Sequence, residues 1–399
     1  MPAALRIRQV DVFPLAIPMR LRFEHAAAAR SVADPIIVRL TAAAPYASLA
    51  GYGETLARAY VTGETPASVL HDLAAHLLPR LDEFAPRTFP EALEFIESLP
   101  LLAGDRVITA ARAALELALL DLAGRAFRRR AADVAGWLGL PGFGPPGCLR
   151  RVRYSGIVVG KTRSKLKGFL IAQRCYGLRD FKIKVAVPDW EERLDWAAAT
   201  MRAALAAGRT TLRADANGAW SVADAIAAAP VLDRCGVSAV EQPLSDTLDE
   251  QLPDLRARLG CDLIADESLV TPDDAHRLIA ANAFQVFNIR IAKNGGLLPA
   301  LRLARVALGA GLDVQLGCLV GETSILTAAG LAFLEVCPEA RFVEGAFGRW
   351  ILRDDLVRKS VQFGLGGRAA PRREFGLGVT VDDAALARLS GGQARSLRP

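Results

Sequence analysis

Eight short apolar runs recur after residue 150, and helical stretches rich in Ala, Leu and Arg separate them. The runs are Tyr154 to Val159, Phe181 to Val185, Thr211 to Ala214, Val237 to Val240, Leu263 to Ala265, Val286 to Ile291, Asp313 to Leu316 and Arg341 to Val343. Alternation at about 25 to 30 residues per unit predicts a parallel sheet, and eight units favour a closed β/α barrel over an open doubly wound sheet. Catalytic groups of such barrels lie at the C-terminal ends of the strands.

The first third of the chain has a different pattern. Strand-like segments, broken by Pro and Gly, include Arg6 to Leu15, Pro35 to Leu40 and Gly51 to Thr55. Thr65 followed by Pro66 is typical of a helix start, and from there to Phe127 the periodicity predicts helices. We therefore expect an α+β domain before the barrel, joined to it by the Gly- and Pro-rich stretch 136–147.

Composition and charge argue against several classes of protein. Apolar residues make up 52% of the 399 residues and charged residues 23%, which is typical of a globular chain rather than a disordered one. The 49 basic and 43 acidic residues leave a net charge of +6, too mild an excess to indicate a nucleic-acid partner. The six cysteines form no C-x-x-C pair, which argues against a disulfide framework and a zinc site. Without a signal-peptide pattern, we expect a cytoplasmic protein.

The most apolar stretch, Val107 to Ala126, is long enough to suggest a membrane span. It contains Arg112, Glu116 and Asp121, at positions where an amphipathic helix would carry its water-facing side. We therefore expect a helix of a soluble core whose three charged residues face solvent, and no membrane partner.

Polar residues stand where the predicted strands end. They are Lys182 and Lys184, Asp215 with Asn217, Glu241, Asp266 with Glu267, Lys293, Glu322 and Glu344. The two-residue period of a strand sends Lys182 and Lys184 to one side and Ile183 toward the helices, so both amines would point into the barrel mouth. An exposed, charged strand end is the alternative interpretation.

Asp215, Glu241 and Asp266 close the third, fourth and fifth predicted strands. Three carboxylates that converge on one mouth repel each other unless a cation neutralises them, and Mg²⁺ prefers oxygen ligands while keeping positions open for substrate. Each residue alone also fits a structural role: an Asx-turn at Asp215, a strand-ending turn at Glu241 and a helix N-cap at Asp266. Their recurrence at successive strand ends favours a metal site.

Lys293 ends the sixth predicted strand and would face Lys184 across the mouth. Two amines beside a cation indicate abstraction of a proton α to a carboxylate. The cation stabilises the enolate, one lysine is the base, and the other is the acid or an electrostatic stabiliser. Partial burial and positive surroundings would lower the pKa of the base toward the working pH.

These residues carry a resemblance to a known family. Residues 150 to 346 resemble the barrel of the enolase superfamily, in its muconate-lactonizing-enzyme subgroup. The matching motifs are K-x-K at Lys182 and Lys184, D-A-N at Asp215 to Asn217, E-Q-P at Glu241 to Pro243, D-E-S at Asp266 to Ser268 and the lysine of AKNGG at Lys293. The first part of the chain is similar to the capping domain of that family, in G-Y-G-E-T at Gly51 to Thr55 and in the helix from Ala110.

The resemblance implies an α/β fold, a modified TIM barrel (β/α)₇β with an N-terminal α+β capping domain. It divides the chain into the cap at 1–130, a linker at 131–149, the barrel at 150–370 and a C-terminal segment at 371–399 that returns to the cap. It also implies a small-molecule carboxylate substrate and a homo-oligomer, and no nucleic-acid or membrane partner.

The resemblance assigns roles to the strand-end residues as well. Asp215, Glu241 and Asp266 would bind Mg²⁺, or Mn²⁺ in its place, and Lys184 and Lys293 would be the acid/base pair on opposite faces of the substrate. Lys182 would tune Lys184 or contact the substrate carboxylate. The residues expected behind the metal ligands or against the substrate are Asn217, Glu267, Glu322 and Glu344.

Substrate specificity is less well defined by the sequence. Dipeptide epimerases of the subgroup carry a D-x-D near the eighth strand, and the corresponding residues here are Phe342 and Glu344, so only one acid remains. Arg30 and the segment 22–25, which ends in His25, are candidates for contact with the distal end of a substrate. The mandelate-racemase branch uses a histidine on the seventh strand, and no histidine lies near Cys318.

We therefore expect a Mg²⁺-dependent isomerase that forms an enolate, and a racemase or epimerase of an amino-acid-like or dipeptide-like acid fits best because lysines stand on both faces. A muconate-type cycloisomerase would use the same residues. So would a lyase, namely a syn-dehydratase of the o-succinylbenzoate synthase type. A catalytically silent barrel that binds partners through the basic segments 125–130 and 150–167 is the remaining alternative.

Overall fold

The computed structural model describes residues 3–25, 28–139, 152–370 and 372–397, with the side chains of 21–25, 28, 29 and 397 left aside. Most of the expected linker, including Cys148, therefore lies outside the described residues. Within these ranges, no helix combines the length and the apolar character needed to cross a membrane.

The N-terminal part contains an antiparallel sheet and two small hairpins. Its strands are β1 (Ile7–Pro14), β2 (Ile17–His25), β3 (Ala28–Ala33), β4 (Ile36–Ala42), β5 (Ala50–Thr55), β6 (Leu102–Ala103) and β7 (Arg106–Val107). Strand β4 pairs with both β1 and β5, while β2 pairs with β3 and β6 with β7.

Helices lie in the same part of the chain, and the longest of them packs on the sheet. They are α1 (Ala59–Thr62), α2 (Pro66–Asp72), α3 (Phe89–Glu97), α4 (Thr109–Ala126) and α5 (Val134–Leu138). Helix α2 begins where the sequence predicts, because Thr65 accepts a hydrogen bond from the Ser68 N–H and Pro66 opens the first turn. Helix α4 packs closely on β5, since a Cβ added at Gly53 would collide with the carbonyl oxygen of Ala114.

The C-terminal part confirms the predicted modified TIM barrel. Its parallel strands are β8 (Gly156–Val158), β9 (Asp180–Lys184), β10 (Thr211–Asp215), β11 (Ala239–Glu241), β12 (Asp262–Ala265), β13 (Val286–Ile289), β14 (Asp313–Leu316) and β15 (Phe342–Val343). Each strand pairs with its neighbour in sequence. The N–H of Ser155, just before β8, donates to the carbonyl oxygen of Val343 at 2.7 Å and links the first strand to the last.

Helices alternate with the barrel strands and continue beyond the last one. They are α6 (Arg163–Cys175), α7 (Trp190–Ala206), α8 (Val222–Arg234), α9 (Leu252–Arg256), α10 (Pro272–Ala280), α11 (Leu297–Gly309), α12 (Ser324–Val336), α13 (Gly348–Ile351) and α14 (Asp383–Leu389). The final strand, β16 (Arg395–Leu397), pairs antiparallel with β1 and so adds a fourth strand to the N-terminal sheet.

The charged residues of α4 correct one expectation from the sequence. Arg112, Glu116 and Asp121 do not face solvent: they are 2%, 0% and 0% exposed. Each one is hydrogen-bonded to distant main chain; Asp121, for example, accepts from the N–H groups of Tyr52 at 3.1 Å and Leu377 at 2.8 Å. The helix is therefore buried on all sides, and its charged residues hold other segments in place.

Two glutamates of the N-terminal part bind the starts of barrel helices. Glu116 accepts hydrogen bonds from the N–H groups of Leu297 at 3.0 Å and Leu298 at 2.9 Å, at the start of α11. Glu54 accepts from the N–H groups of Thr323 at 2.7 Å and Leu326 at 2.9 Å, at the start of α12. A carboxylate at a helix N-terminus satisfies free N–H groups and complements the helix dipole. Buried hydrogen bonds therefore join the two parts of the chain.

Candidate active site

Lys184, the last residue of β9, presents its amine at the barrel mouth. Its Nζ lies 2.6 Å from Oδ2 of Asp215 and 2.7 Å from Oδ1 of Asn217, and 36% of its side chain is exposed. The strand register places Lys184 directly beside Asp215. Asn217 adopts a left-handed backbone with φ 47°, which asparagine tolerates, and its N–H binds Oδ1 of Asp215 at 3.1 Å. The three residues thus form one unit.

Lys182 points to the same side as Lys184, as the two-residue period predicts. Its Nζ lies 3.0 Å from Oε1 of Glu241, 2.7 Å from Oε2 of Glu344 and 3.2 Å from Oδ2 of Asp215. Burial would lower the pKa of Lys182, but Glu241, Glu344 and Asp215 raise it above its ordinary value. The Lys182 amine is therefore a fixed positive charge that holds three carboxylates together.

Asp215, Glu241 and Asp266 are fully buried at the ends of consecutive strands. Burial raises the pKa of Glu241 to about 7, and the neighbouring charge of Asp215 adds to this effect. Burial acts on Asp215 in the same direction, but Lys184 and Lys182 outweigh it and hold the pKa of Asp215 below its ordinary value. Of Glu241 and Asp215, Glu241 therefore has the less well compensated negative charge.

Polar side chains inside the barrel hold Glu241, and they were not among the residues predicted from the sequence. Asn288 Nδ2 donates to Oε1 of Glu241 at 3.1 Å, and Gln315 Nε2 donates to Oε2 at 2.9 Å. Arg213 donates to Gln315 and, at 3.0 Å, to Glu344. Alternation along the strands is the signal that could have found them, because each faces the barrel interior from a strand that also carries apolar residues.

Lys293 follows β13 and is fully buried. Its Nζ lies 3.0 Å from Oδ1 and 2.7 Å from the carbonyl oxygen of Asp266, and 2.8 Å from the carbonyl oxygen of Asn288. Burial lowers the pKa of Lys293, although Asp266 acts in the opposite direction. The structure therefore brings Lys293 to Asp266, whereas Lys184 is held by Asp215 and Asn217.

Arg290 is a second charged residue that the sequence analysis missed. Its Nη2 contacts Oδ2 of Asp266 and lies 3.5 Å from Oε1 of Glu241. Burial works against its charge, but Asp266 and Glu241 raise the pKa of Arg290 above its ordinary value. Asn288 and Arg290 alternate along the sixth run as Lys182 and Lys184 do along the second, so the same reasoning could have identified them.

The site as a whole is an alternating array of cations and carboxylates across the ends of consecutive strands. In order, its members are Lys184, Asp215, Lys182, Glu241, Arg290, Asp266 and Lys293. Its three carboxylates offer only oxygen ligands, the type that Mg²⁺ prefers. The raised pKa of Glu241 shows that positive charge added there would be favourable. The residues therefore fit a divalent hard cation.

Another group of potential metal ligands lies on α2 and the turn that follows it. One ligand atom from each of His71, Asp72 and His76 lies within 4.8 Å of the others. Both oxygens of Asp72 are already bound by Arg106, through Nη1 at 2.7 Å and Nη2 at 2.5 Å. This carboxylate is thus paired with a cation.

The remaining predicted residues divide into two sets. Glu267 accepts a hydrogen bond from Nδ2 of Asn217 at 3.3 Å, and burial raises its pKa to about 8. Glu344 accepts a hydrogen bond from Lys182. Glu267 and Glu344 are therefore both connected to the array. Glu322 instead accepts the N–H of Leu319 at 2.6 Å within its own loop, and burial raises its pKa to about 8.

A cavity of about 210 Å³ opens onto the array and has mainly apolar walls. Lys182 and Lys184 line it from the barrel, and Arg30 and Tyr60 line it from the N-terminal part. The side chains of 22–25, including His25, lie outside the described residues.

The eighth strand contributes different residues to this cavity than the sequence analysis assumed. Phe342 does not line it; its ring lies beneath Arg213, with the guanidinium carbon 4.2 Å from the ring centroid. Glu344 and Ala346 do line the cavity. Residues 345, 347 and 348 line it as well, so the acid that this segment contributes to the cavity is Glu344.

The chain is similar in sequence and fold to several known proteins. A family model described as Enolase C-terminal domain-like matches residues 170–385. The L-Lys-D/L-Arg epimerase of Methylococcus capsulatus is 30% identical over 386 residues, covering 91% of this chain and 98% of its own. Muconate cycloisomerase 1 of Pseudomonas putida is 28% identical over 332 residues, covering 82% and 83%. The crystal structure of N-succinyl Arg/Lys racemase from Bacillus cereus shares the fold, with a TM-score of 0.85 over 98% of this chain and 100% of its own at 21% identity.

Proposed function

Because the chain belongs to the enolase superfamily, we propose that it removes the proton α to a substrate carboxylate and returns a proton to the resulting enolate. The activity that fits best is that of a racemase or epimerase acting on an amino-acid-like or dipeptide-like acid. Relatives named as epimerases and cycloisomerases support the wider assignment to the isomerases.

The array of alternating charges carries this proposal. It is continuous from Lys184 to Lys293, so an amine stands at each end with the three carboxylates between them. Lys184 also lines the apolar cavity, where a substrate would be shielded from water. An acid/base pair at the ends of an ionic array suits transfer of a proton from one face of a carbon atom to the other.

In the proposed mechanism, one lysine is neutral and the other is charged when substrate binds. The neutral amine takes the α proton, and the electron pair of the broken C–H bond moves into the carboxylate to form the enolate. The ammonium group of the second lysine then donates a proton to the opposite face of the same carbon, which inverts its configuration. Lys184 and Lys293 exchange roles in the reverse direction.

Asp215, Glu241 and Asp266 are the residues that would hold Mg²⁺ or Mn²⁺ in this proposal. When bound, the ion supplies positive charge that stabilises the enolate. Lys182 keeps the carboxylates of Asp215 and Glu241 close together, since its amine lies within 3.2 Å of both. Asn217 and Glu267 support the array from the Lys184 side.

A muconate-type cycloisomerase is the second candidate. Muconate cycloisomerase 1 resembles the chain over 82% of its length, and an enolate formed by the same lysines also serves this reaction. The two activities differ in what becomes of the enolate, so product analysis distinguishes them.

Proton NMR in D₂O with Mg²⁺ tests the proposal on dipeptides, N-acylamino acids and muconate-like diacids. We expect the α-proton signal of one substrate class to disappear, and chiral chromatography to show the second stereoisomer if the enzyme is a racemase or epimerase. Lys184→Ala and Lys293→Ala should each abolish inversion, and each should abolish α-proton exchange on the stereoisomer from which that lysine takes the proton. Lys165→Ala, on the exposed side of α6, is the matched control and should keep both inversion and exchange. Full exchange in both active-site variants would refute the two-lysine assignment.

A further inference from the structure

Arg193, in the first turn of α7, lines the cavity, and within the described residues its nearest carboxylate is that of Asp189. Its guanidinium comes no nearer than 3.9 Å to Asp189, the charged group beside it, and its Nε is buried without a hydrogen bond. Only 15% of the side chain is exposed. A mostly buried guanidinium whose nearest carboxylate is 3.9 Å away has a poorly compensated positive charge, so this part of the cavity wall favours an anion supplied by a ligand.

Arg30 lines the same cavity from strand β3. Its Nη1 binds Asp34 at 2.9 Å, and its Nε is also buried without an acceptor. Asp34 is held in turn by Arg58 at 2.8 Å, and Arg58 donates to the carbonyl oxygen of Val320 at 2.9 Å. Arg30 is therefore fixed against the barrel and adds a second guanidinium to the cavity wall.

The acids in the cavity wall do not balance these arginines. Glu344 is already bound by Lys182 at 2.7 Å and by Arg213 at 3.0 Å. Glu322 accepts the N–H of Leu319 in its own loop. The charges left available to a ligand are therefore positive.

Apolar residues line the space between the catalytic array and the rest of the wall. They are Ile157 of β8 together with Val159, Val187, Phe347 and Ile351 from the segments that follow β8, β9 and β15. A ligand that fills this space would have an apolar body with polar groups at its ends.

We propose that Arg193, together with Arg30, forms a subsite for a second anionic group of the substrate. This inference rests on the proposed function, which places the reacting carboxylate at the lysines and carboxylates of the array. The substrate is then a dianion: a carboxylate beside the exchanging carbon, an apolar middle and a distal carboxylate. A cationic distal group, such as the relative named L-Lys-D/L-Arg epimerase would accept, should bind poorly here.

Paired substrates that differ only in the distal charge test the proposal. N-succinyl and N-pentanoyl derivatives of the same amino acids have similar length, but only the first carries a distal carboxylate. We expect kcat/KM for proton exchange to be about 10- to 100-fold higher for the N-succinyl member. Equal values, or faster exchange on L-lysyl-L-arginine, would refute the dianion assignment.

Variants of Arg193 test whether this residue causes the preference for N-succinyl substrates. Arg193→Met keeps much of the side-chain volume without the charge, and it should raise KM for N-succinyl substrates more than KM for N-pentanoyl substrates. Arg193→Lys should restore part of the preference, since it restores the charge. Arg234→Gln, on the outer face of α8 and paired with Asp195, is the matched control and should behave as wild type. An unchanged preference in Arg193→Met would overturn the role of Arg193.

A binding measurement separates this proposal from the proposed function. Isothermal titration of the Mg²⁺-loaded protein with adipate and with hexanoate compares a dianion with a monoanion and requires no turnover. We expect tighter binding of adipate, lost in Arg193→Met, even if no substrate in the NMR panel exchanges. Equal affinity for both ligands would refute the anion subsite, whereas exchange on N-pentanoyl substrates would still support proton abstraction.

Discussion

Replacing Glu116 by glutamine measures what a buried carboxylate costs in this fold. Glu116 is fully buried, and burial raises its pKa from the ordinary value of 4.5 to about 7. Because the pKa is higher in the folded state, the contribution of this group to stability is complete below pH 4.5 and is lost as the pH rises toward 7. One pKa unit corresponds to about 1.4 kcal/mol, so the loss between pH 5 and pH 8 is about 2–3 kcal/mol.

Glutamine cannot ionise, but it offers one acceptor oxygen where Glu116 offers two. One of the N–H groups of Leu297 and Leu298 then lacks an acceptor, which costs about 1–3 kcal/mol. We expect Glu116→Gln to be less stable than wild type by this amount at pH 5. The deficit should shrink by about 2–3 kcal/mol at pH 8, since only the wild type pays for ionisation there.

Urea denaturation at pH 5 and pH 8, followed by far-UV circular dichroism at constant ionic strength, gives the unfolding free energies. Other titrating groups, including Glu54, are present in both proteins and cancel in the difference. Glu116→Ala removes both acceptors and should show the same pH-dependent change from a lower starting stability. A wild-type-minus-variant difference that is equal at both pH values would refute the raised pKa.

Three further changes have defined outcomes. Gly296→Ala should destabilise the fold more than Gly236→Ala in urea denaturation, because both glycines have positive φ (122° and 65°) but only a Cβ at Gly296 would collide with Glu116. Lys182→Met should cost about 3–5 kcal/mol in the same assay, since it leaves the buried Glu241 without its amine; wild-type stability would contradict this role. EDTA should abolish α-proton exchange and Mg²⁺ should restore it, so exchange that persists in EDTA would contradict the metal site.

The barrel could be predicted because its signal is local. The run Thr211 to Ala214 corresponds to β10 at Thr211–Asp215, and the other seven runs also overlap observed strands. Helix α4 shows where local patterns fail. The partners of Glu116 lie 181 and 182 residues further along the chain, so nothing near Glu116 indicates that it is buried rather than facing solvent.

The residues of the candidate site that stand at strand ends could be predicted from the sequence. Lys184 and Asp215 end neighbouring strands in register, and a sequence pattern can predict such neighbours. Asn288 and Gln315 were not predicted, because a rule about strand ends does not include polar residues within the strands. Arg193 lies on a helix, and only the cavity that it lines relates it to the site.

Residues of the N-terminal part of the chain hold the segment that carries Lys293. Contacts that stabilise the fold therefore also position this amine. Arg112 donates to the carbonyl oxygen of Gly295, and Glu116 accepts the N–H of Leu297 at 3.0 Å. Both contacts lie within four residues of Lys293 in sequence. Glu116→Ala should therefore lower the rate of α-proton exchange in protein that is still folded, because the amine loses its fixed position.

Glu64→Ala is the matched control for this effect. Glu64 is also a buried helix-capping carboxylate, and it accepts the N–H of Ala110 at 2.9 Å, but its partners lie within the N-terminal part of the chain. It should reduce stability with little change in the exchange rate, measured by NMR at a temperature where circular dichroism shows both variants to be folded. Equal rates in the two variants would mean that the barrel positions Lys293 without help from Glu116. A slower rate in Glu116→Ala alone would assign Glu116 a positioning role in the reaction.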